Sequence, residues 1–220
     1  LDMGDSGVVS FGNIGHQAGI SKYSDKMPTA GEQVWDDSDT DDNGIVGHEN
    51  ENMLGYNGSF GGIGLSLAYV NGGAGGKDGG ASDSSWVVTY DGLMDGLSLG
   101  VGQGENGTTS DLSTAYAKYT AGSITVGYQF SEIENAQGTA DEESRHLAAS
   151  IAVNENLSVS AGRFEVDMGA GTVDEESTGF SASYTMGSST IGFVANSTEN
   201  VAGTANSDDS YREISVSFAF

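Results

Sequence analysis

Apolar residues alternate with small or polar ones in segment after segment of this chain. Leu97, Leu99 and Val101 are interleaved with Ser98, Gly100 and Gly102, and Ile124, Val126, Tyr128 and Phe130 with Thr125, Gly127 and Gln129. The same pattern runs through Leu147–Val153, Phe180–Met186 and Ile214–Phe220. Period two is the mark of strands with one apolar face, and no segment of comparable length has helical spacing. The fold class is therefore read as all-β. Twelve strands are expected, over roughly 7–16, 50–60, 62–71, 84–93, 96–104, 112–121, 123–131, 144–153, 156–165, 178–186, 189–197 and 210–220.

The connections alternate in length. Short turns fall near Gly61-Gly62, Asp95-Gly96, Gly122-Ser123, Glu155-Asn156 and Gly187-Ser188. Between them lie long polar stretches, at about 71–84, 103–111, 131–143, 165–178 and 197–210. Each unit is thus strand, long loop, strand, short turn. Repeated hairpins of this kind build an antiparallel up-and-down sheet that must close or leave raw edges.

The second face of each strand decides the solvent. Its residues are mainly Gly, Ser, Ala and Thr, with few charges, while the apolar face carries aromatics near strand ends: Trp86, Tyr90, Tyr128, Phe130, Phe180, Tyr184, Phe218 and Phe220. Strands of about ten residues with apolar-out alternation, aromatic rims and alternating loop lengths fit a transmembrane β-barrel. A water-soluble β-sandwich is the alternative that simple alternation allows.

Composition narrows the class. The 220 residues hold 32 acids against 7 Lys and Arg, a formal net charge of −25, with 35 glycines, one proline and no cysteine. Phosphate contacts need clustered Lys and Arg, so a nucleic-acid partner is excluded. Disulfide and thiolate chemistry are absent. No apolar run of about 18 residues exists, so no membrane-spanning helix is expected. Most of the acids fall in the long connections, which makes one rim strongly negative and the other nearly neutral.

The terminal segment Tyr211-Arg-Glu-Ile-Ser-Val-Ser-Phe-Ala-Phe220 resembles the last strand of a Gram-negative porin, in which a terminal Phe follows apolar residues at alternate positions. Ser10-Phe-Gly-Asn-Ile-Gly-His16 resembles the porin strand that runs into the third loop, and 16–51 then resembles that loop, which folds into the lumen and narrows the channel. The acidic, glycine-rich style is similar to alphaproteobacterial general porins. The resemblance implies a single barrel domain over 1–220, a bacterial outer-membrane location, contact with outer-membrane lipid, passage of small hydrophilic solutes and ions, and a homotrimer. Such porins have 16 strands, about four of them before the third loop, whereas only residues 1–11 precede that region here. The expectation is a C-terminal portion of a 16-stranded barrel, the other reading being a complete twelve-stranded one.

No catalytic constellation stands out. His16, His48 and His146 have no Ser or acid partner at motif spacing, and Gly73-Ala-Gly-Gly76 lacks the strand-to-helix context of a phosphate loop. No enzyme is expected. Asp39-Thr-Asp41-Asp-Asn43-Gly44 matches the first half of a calcium loop, with Glu49 and Glu51 flanking its twelfth position. The segment reads either as a solvated acidic loop or as a Ca2+ site built from Asp39, Asp41, Asn43, Glu49 and Glu51. No cofactor is otherwise called for.

Porin selectivity arises where acids on the inner loop face basic residues on the wall. The acidic side expected here is Asp36, Asp37, Asp39, Asp41 and Asp42, and the wall side is Lys118, His146 and His16. Arg145, Arg163 and Arg212 have the parity of lipid-facing residues and are placed at rims. The function expected is an outer-membrane porin with a cation preference. The alternatives are a non-conducting structural or adhesion barrel with acidic partner-binding loops, and a barrel enzyme.

Overall fold

The computed structural model describes residues 1–13, 17–35, 45, 52–72, 81–135, 140–169 and 171–219. Within them twelve strands follow in chain order: β1 (Val8–Asn13), β2 (Asn52–Phe60), β3 (Ile63–Val70), β4 (Asp83–Tyr90), β5 (Leu97–Asn106), β6 (Ser110–Ala121), β7 (Ile124–Asn135), β8 (Glu142–Ala152), β9 (Leu157–Asp167), β10 (Glu175–Met186), β11 (Ser189–Glu199) and β12 (Asp209–Phe218). They form one antiparallel sheet in the order β1 to β12, every strand beside its sequence neighbour. Helix among the described residues is limited to 3-10 turns, at Gly4–Ser6, Ile20–Tyr23 and Val201–Gly203, and to Gln17.

The hairpin between β2 and β3 shows why the short turns are glycine-rich. Phe60 pairs with Ile63, leaving Gly61 and Gly62 as the whole loop, and both have positive φ. A type I′ turn, one of the two whose twist matches the strands, needs that conformation at both positions.

The expected strands are all present, but several run further towards the long connections. β7 continues to Asn135 and β9 to Asp167, while β8 begins at Glu142 and β10 at Glu175. Glu105, Glu132, Glu134, Glu165 and Glu176 are therefore strand residues, not loop residues. The connection expected over 103–111 shrinks to 107–109, closed by the Thr109 amide donating to the Asn106 carbonyl at 2.9 Å. Backbone pairing does not need an apolar side chain. Once a strand passes its apolar stretch, water solvates the carboxylates and the ladder continues.

The chain clusters into two compact units. The first comprises Leu1–Lys26, Asp42–Ala117 and Phe130–Glu143. Here one sheet face carries residues 17–26 and Ile45. Ala18 packs on Met53, Ala68 and Val70, and Ile20 on Ile45, Val87 and Leu112. The other face leaves Leu54, Leu67, Trp86 and Val101 exposed, Val101 by 52%. The second unit comprises Met27–Asp41, Lys118–Gln129 and Ser144–Phe220. One face is covered by 27–35. The opposite face exposes Ile124, Leu147, Phe180, Phe193 and Ile214, the last by 72%.

In both units the covered face carries paired hydroxyls beside its small apolar clusters. Thr114 and Ser131 lie 2.9 Å apart in the first unit, and Ser160–Ser181 and Ser177–Thr198 lie 2.7 and 2.6 Å apart in the second. A bare apolar face opposite a polar covered face inverts the arrangement of a water-soluble sandwich.

That inversion is testable at the centre of β5. Val101→Arg places a cation on the bare face, and it should destabilise the protein by about 2–4 kcal/mol in urea unfolding from phospholipid vesicles.

Candidate functional site

The connection from β1 to β2 is the candidate site, because its described residues lie on the polar face. Two backbone amides anchor it in the first unit. Gly19 N donates to Ser66 Oγ at 2.9 Å and Ile20 N to Ser85 Oγ at 3.0 Å, both buried. Gly19 has φ of 64°, and a Cβ there would run into Ser85 Oγ and the Ala68 methyl, so the close approach requires glycine. Asn57 on β2 ties the same stretch from its side: it accepts from Lys22 Nζ at 2.8 Å and from Ser66 Oγ at 2.8 Å, and donates to the Gln17 carbonyl at 2.9 Å.

Tyr23 ends the 3-10 turn and stacks on Tyr116 of β6, ring centroids 6.3 Å apart and 14° from parallel. Lys26 Nζ lies 4.8 Å from the Tyr23 ring centre, within cation–π range. Burial first, then the nearby Tyr116 and Asp91, push the Tyr23 hydroxyl above its ordinary range, so it stays a neutral donor.

The second unit holds residues 27–35 by the same device. Ala30 N donates to Ser160 Oγ at 3.0 Å, and Ser160 in turn pairs with Ser181. Trp35 is the apolar lock. Its ring lies 5.3 Å from His146 and 5.9 Å from Phe164, which themselves meet edge to face at 4.3 Å. Glycine makes room beneath. A Cβ on Gly162 would contact Trp35, and one on Gly179 would collide with the Val34 carbonyl.

Of the expected site residues, Asp36, Asp37, Asp39, Asp41, Asp42, Asn43, His16, Glu49 and Glu51 lie outside the described residues. Lys118 is half-buried in β6 on the same face as Tyr116. His146 is on the polar face, as its parity implied, but only 4% exposed beneath Trp35. Neither ring nitrogen has a hydrogen-bond partner among the described residues. No group of three potential metal ligands comes together among the described residues. The anchors Ser66, Ser85 and Ser160 were not singled out from sequence. Their only signal is a hydroxyl on the non-apolar parity of a strand, which many other serines share.

A sheet with one hydroxyl-bearing face, bare hydrocarbon on the other and a long connection bound to the first is the arrangement of a membrane β-barrel wall. The model of the Gram-negative porin family matches residues 3–220. The chain belongs to that family. As a porin, it is a β-barrel protein of the bacterial outer membrane, with the polar face towards the lumen and the bare face towards lipid. The anion-selective porin from Comamonas acidovorans is similar in fold, at a TM-score of 0.76 and 17% identity, over 99% of this chain and 75% of that one. A variant of Rh. blastica porin gives 0.65 at 17% identity, over 96% and 73%. A loop-deleted OmpT, an outer-membrane protein of Vibrio cholerae, gives 0.65 at 17%, over 97% and 76%. No curated protein matches the chain.

The wall glycines make the docking of this porin's inner segment testable. Gly179→Leu should displace Val34 and lift Trp35 off Phe164. In a Trp86→Phe background, Trp35 emission should then shift to the red, with no such shift for Gly187→Leu, at a turn where no atom lies near the added Cβ.

Proposed function

We propose that the protein is a general diffusion porin with a preference for cations, in which the β1–β2 connection sets the size limit and the sign of selectivity. The observation that carries this reading is the charge of that connection. Residues 16–51 hold nine acids against two lysines, five of the acids within 36–42. Its described part, 17–35, is fixed to the polar face by the serine anchors described above. A negative constriction concentrates cations and depletes small anions, more strongly at low salt. No catalytic role accompanies this passive passage, and the working assembly is a homotrimer.

Calcium enters the same reading. Asp39, Asp41 and Asn43, completed by Glu49 or Glu51, offer oxygen ligands of the kind Ca2+ takes. A bound divalent ion would cancel about two charges and soften the cation preference.

A second reading has an observation of its own. Lys22 and Lys26 on the inner segment and Lys118 on the wall are all on the polar side. The Comamonas acidovorans relative, anion-selective by name, shows that this fold accommodates the opposite sign.

Reversal potential across a salt gradient, in planar bilayers, decides between them. Cation selectivity is expected for the wild type, reduced by Asp39→Asn/Asp41→Asn and by added calcium. Anion selectivity in the wild type would favour the lysines, while insensitivity to calcium would remove the metal site alone. Chemical cross-linking in mild detergent should give a trimer.

A further inference from the structure

Among the described residues the basic side chains divide by type across the two faces. Lys22, Lys26 and Lys118 serve the polar face, whereas Arg145, Arg163 and Arg212 all occupy bare-face positions of β8, β9 and β12, within the second unit. Strand register sets their height. Nearest the long connections is a row of acids, Glu165 opposite Glu176 and Glu176 opposite Glu199. One step towards the short turns, Arg163 lies opposite Thr178. One step further, Arg212 lies opposite Ala195, which pairs with Phe180. Below it the bare face is hydrocarbon, beginning with Phe193 opposite Ile214.

The order is carboxylate, guanidinium, hydrocarbon. Ion pairs with the acid row account for the height of Arg163, but not for Arg212, which lies one step nearer the hydrocarbon. A plane of lipid phosphates directly above acyl chains supplies a partner there.

The donors are in hand. Arg163 uses only Nη2 towards protein, donating to Glu165 at 2.7 Å and Glu176 at 2.6 Å, and its side chain is half-exposed. Its Nε and Nη1 have no partner among the described residues. Arg212 is exposed and makes no ion pair or side-chain hydrogen bond among the described residues. Three strand spacings separate the two arginines, on the order of 14 Å, too far to share one phosphate.

We propose that the bare face of β9–β12 is a docking surface for membrane lipid, with Arg212 taking a lipid phosphate in fork geometry and Arg163 donating to another through Nη1 alone. Arg145, which donates to Glu165 at 3.3 Å, helps hold the acid row that positions Arg163. The proposal rests on the outer-membrane assignment but not on conduction or its selectivity.

The test uses the detergent-solubilised protein with dioleoyl phosphatidic acid or dioleoylglycerol, which differ only in the phosphate, and counts bound lipid by native mass spectrometry. The wild type should retain phosphatidic acid over the diacylglycerol by about fivefold or more, a preference within reach of one charge-assisted fork and one single charge-assisted bond. R163Q/R212Q should bring the two lipids near parity, and R163K/R212K should recover part of the difference. R212Q alone, which breaks no ion pair or side-chain hydrogen bond among the described residues, should lose a substantial share with folding intact. Equal lipid retention by wild type and R163Q/R212Q overturns the proposal, as does displacement of phosphatidic acid by excess inorganic phosphate, which would mark a site for the free anion. Bilayer conductance of R163Q/R212Q should match the wild type, so loss of lipid preference and loss of channel function are read separately.

Discussion

Hydrocarbon offers no partner to a backbone N–H or C=O, so each strand that crosses it must find both on its neighbours. Sequential antiparallel pairing meets this demand with minimal crossover, and the order β1 to β12 is the result. Pairing fixes the period of the side chains at two, and the period assigns every strand residue to lipid or to lumen. The inverted distribution follows. Val101 and Ile214 are among the exposed residues, and Ser66, Ser160 and Ser177 among the buried ones.

This is also why the fold was so legible. Alternation is a local signal, and twelve strands in up-and-down order were read from it alone. Strand ends were less legible, because alternation stops being visible where apolar residues stop, although pairing does not. Glu132 and Glu134 continue β7 with no change of backbone, and Gly107–Thr109 turns so tightly that neighbouring polar residues pass for loop. The family was legible in the final strand, where apolar spacing and a terminal aromatic coincide.

The candidate site was only partly legible, for a different reason. Parity places Lys118 and His146 on the lumen side, but parity says nothing about what lies above a residue. His146 is covered by Trp35, more than a hundred positions earlier in the chain, and no local pattern announces that contact. The acids of 36–42 are conspicuous in composition, yet the attachments of the connection they belong to are made by ordinary serines. Conspicuous charge and structural anchorage are carried by different residues.

That separation has a consequence for how such a channel can change. At Gly19, Ile20 and Ala30 the connection is held through its own main chain, and the wall provides the receiving oxygen. A main-chain amide is present whatever the side chain, proline excepted. Away from the tight fit at Gly19, charge on the connection can be exchanged over generations while these attachments persist. On the proposed reading, the barrel sets position and the loop sets selectivity. One docking geometry can therefore serve pores of opposite sign.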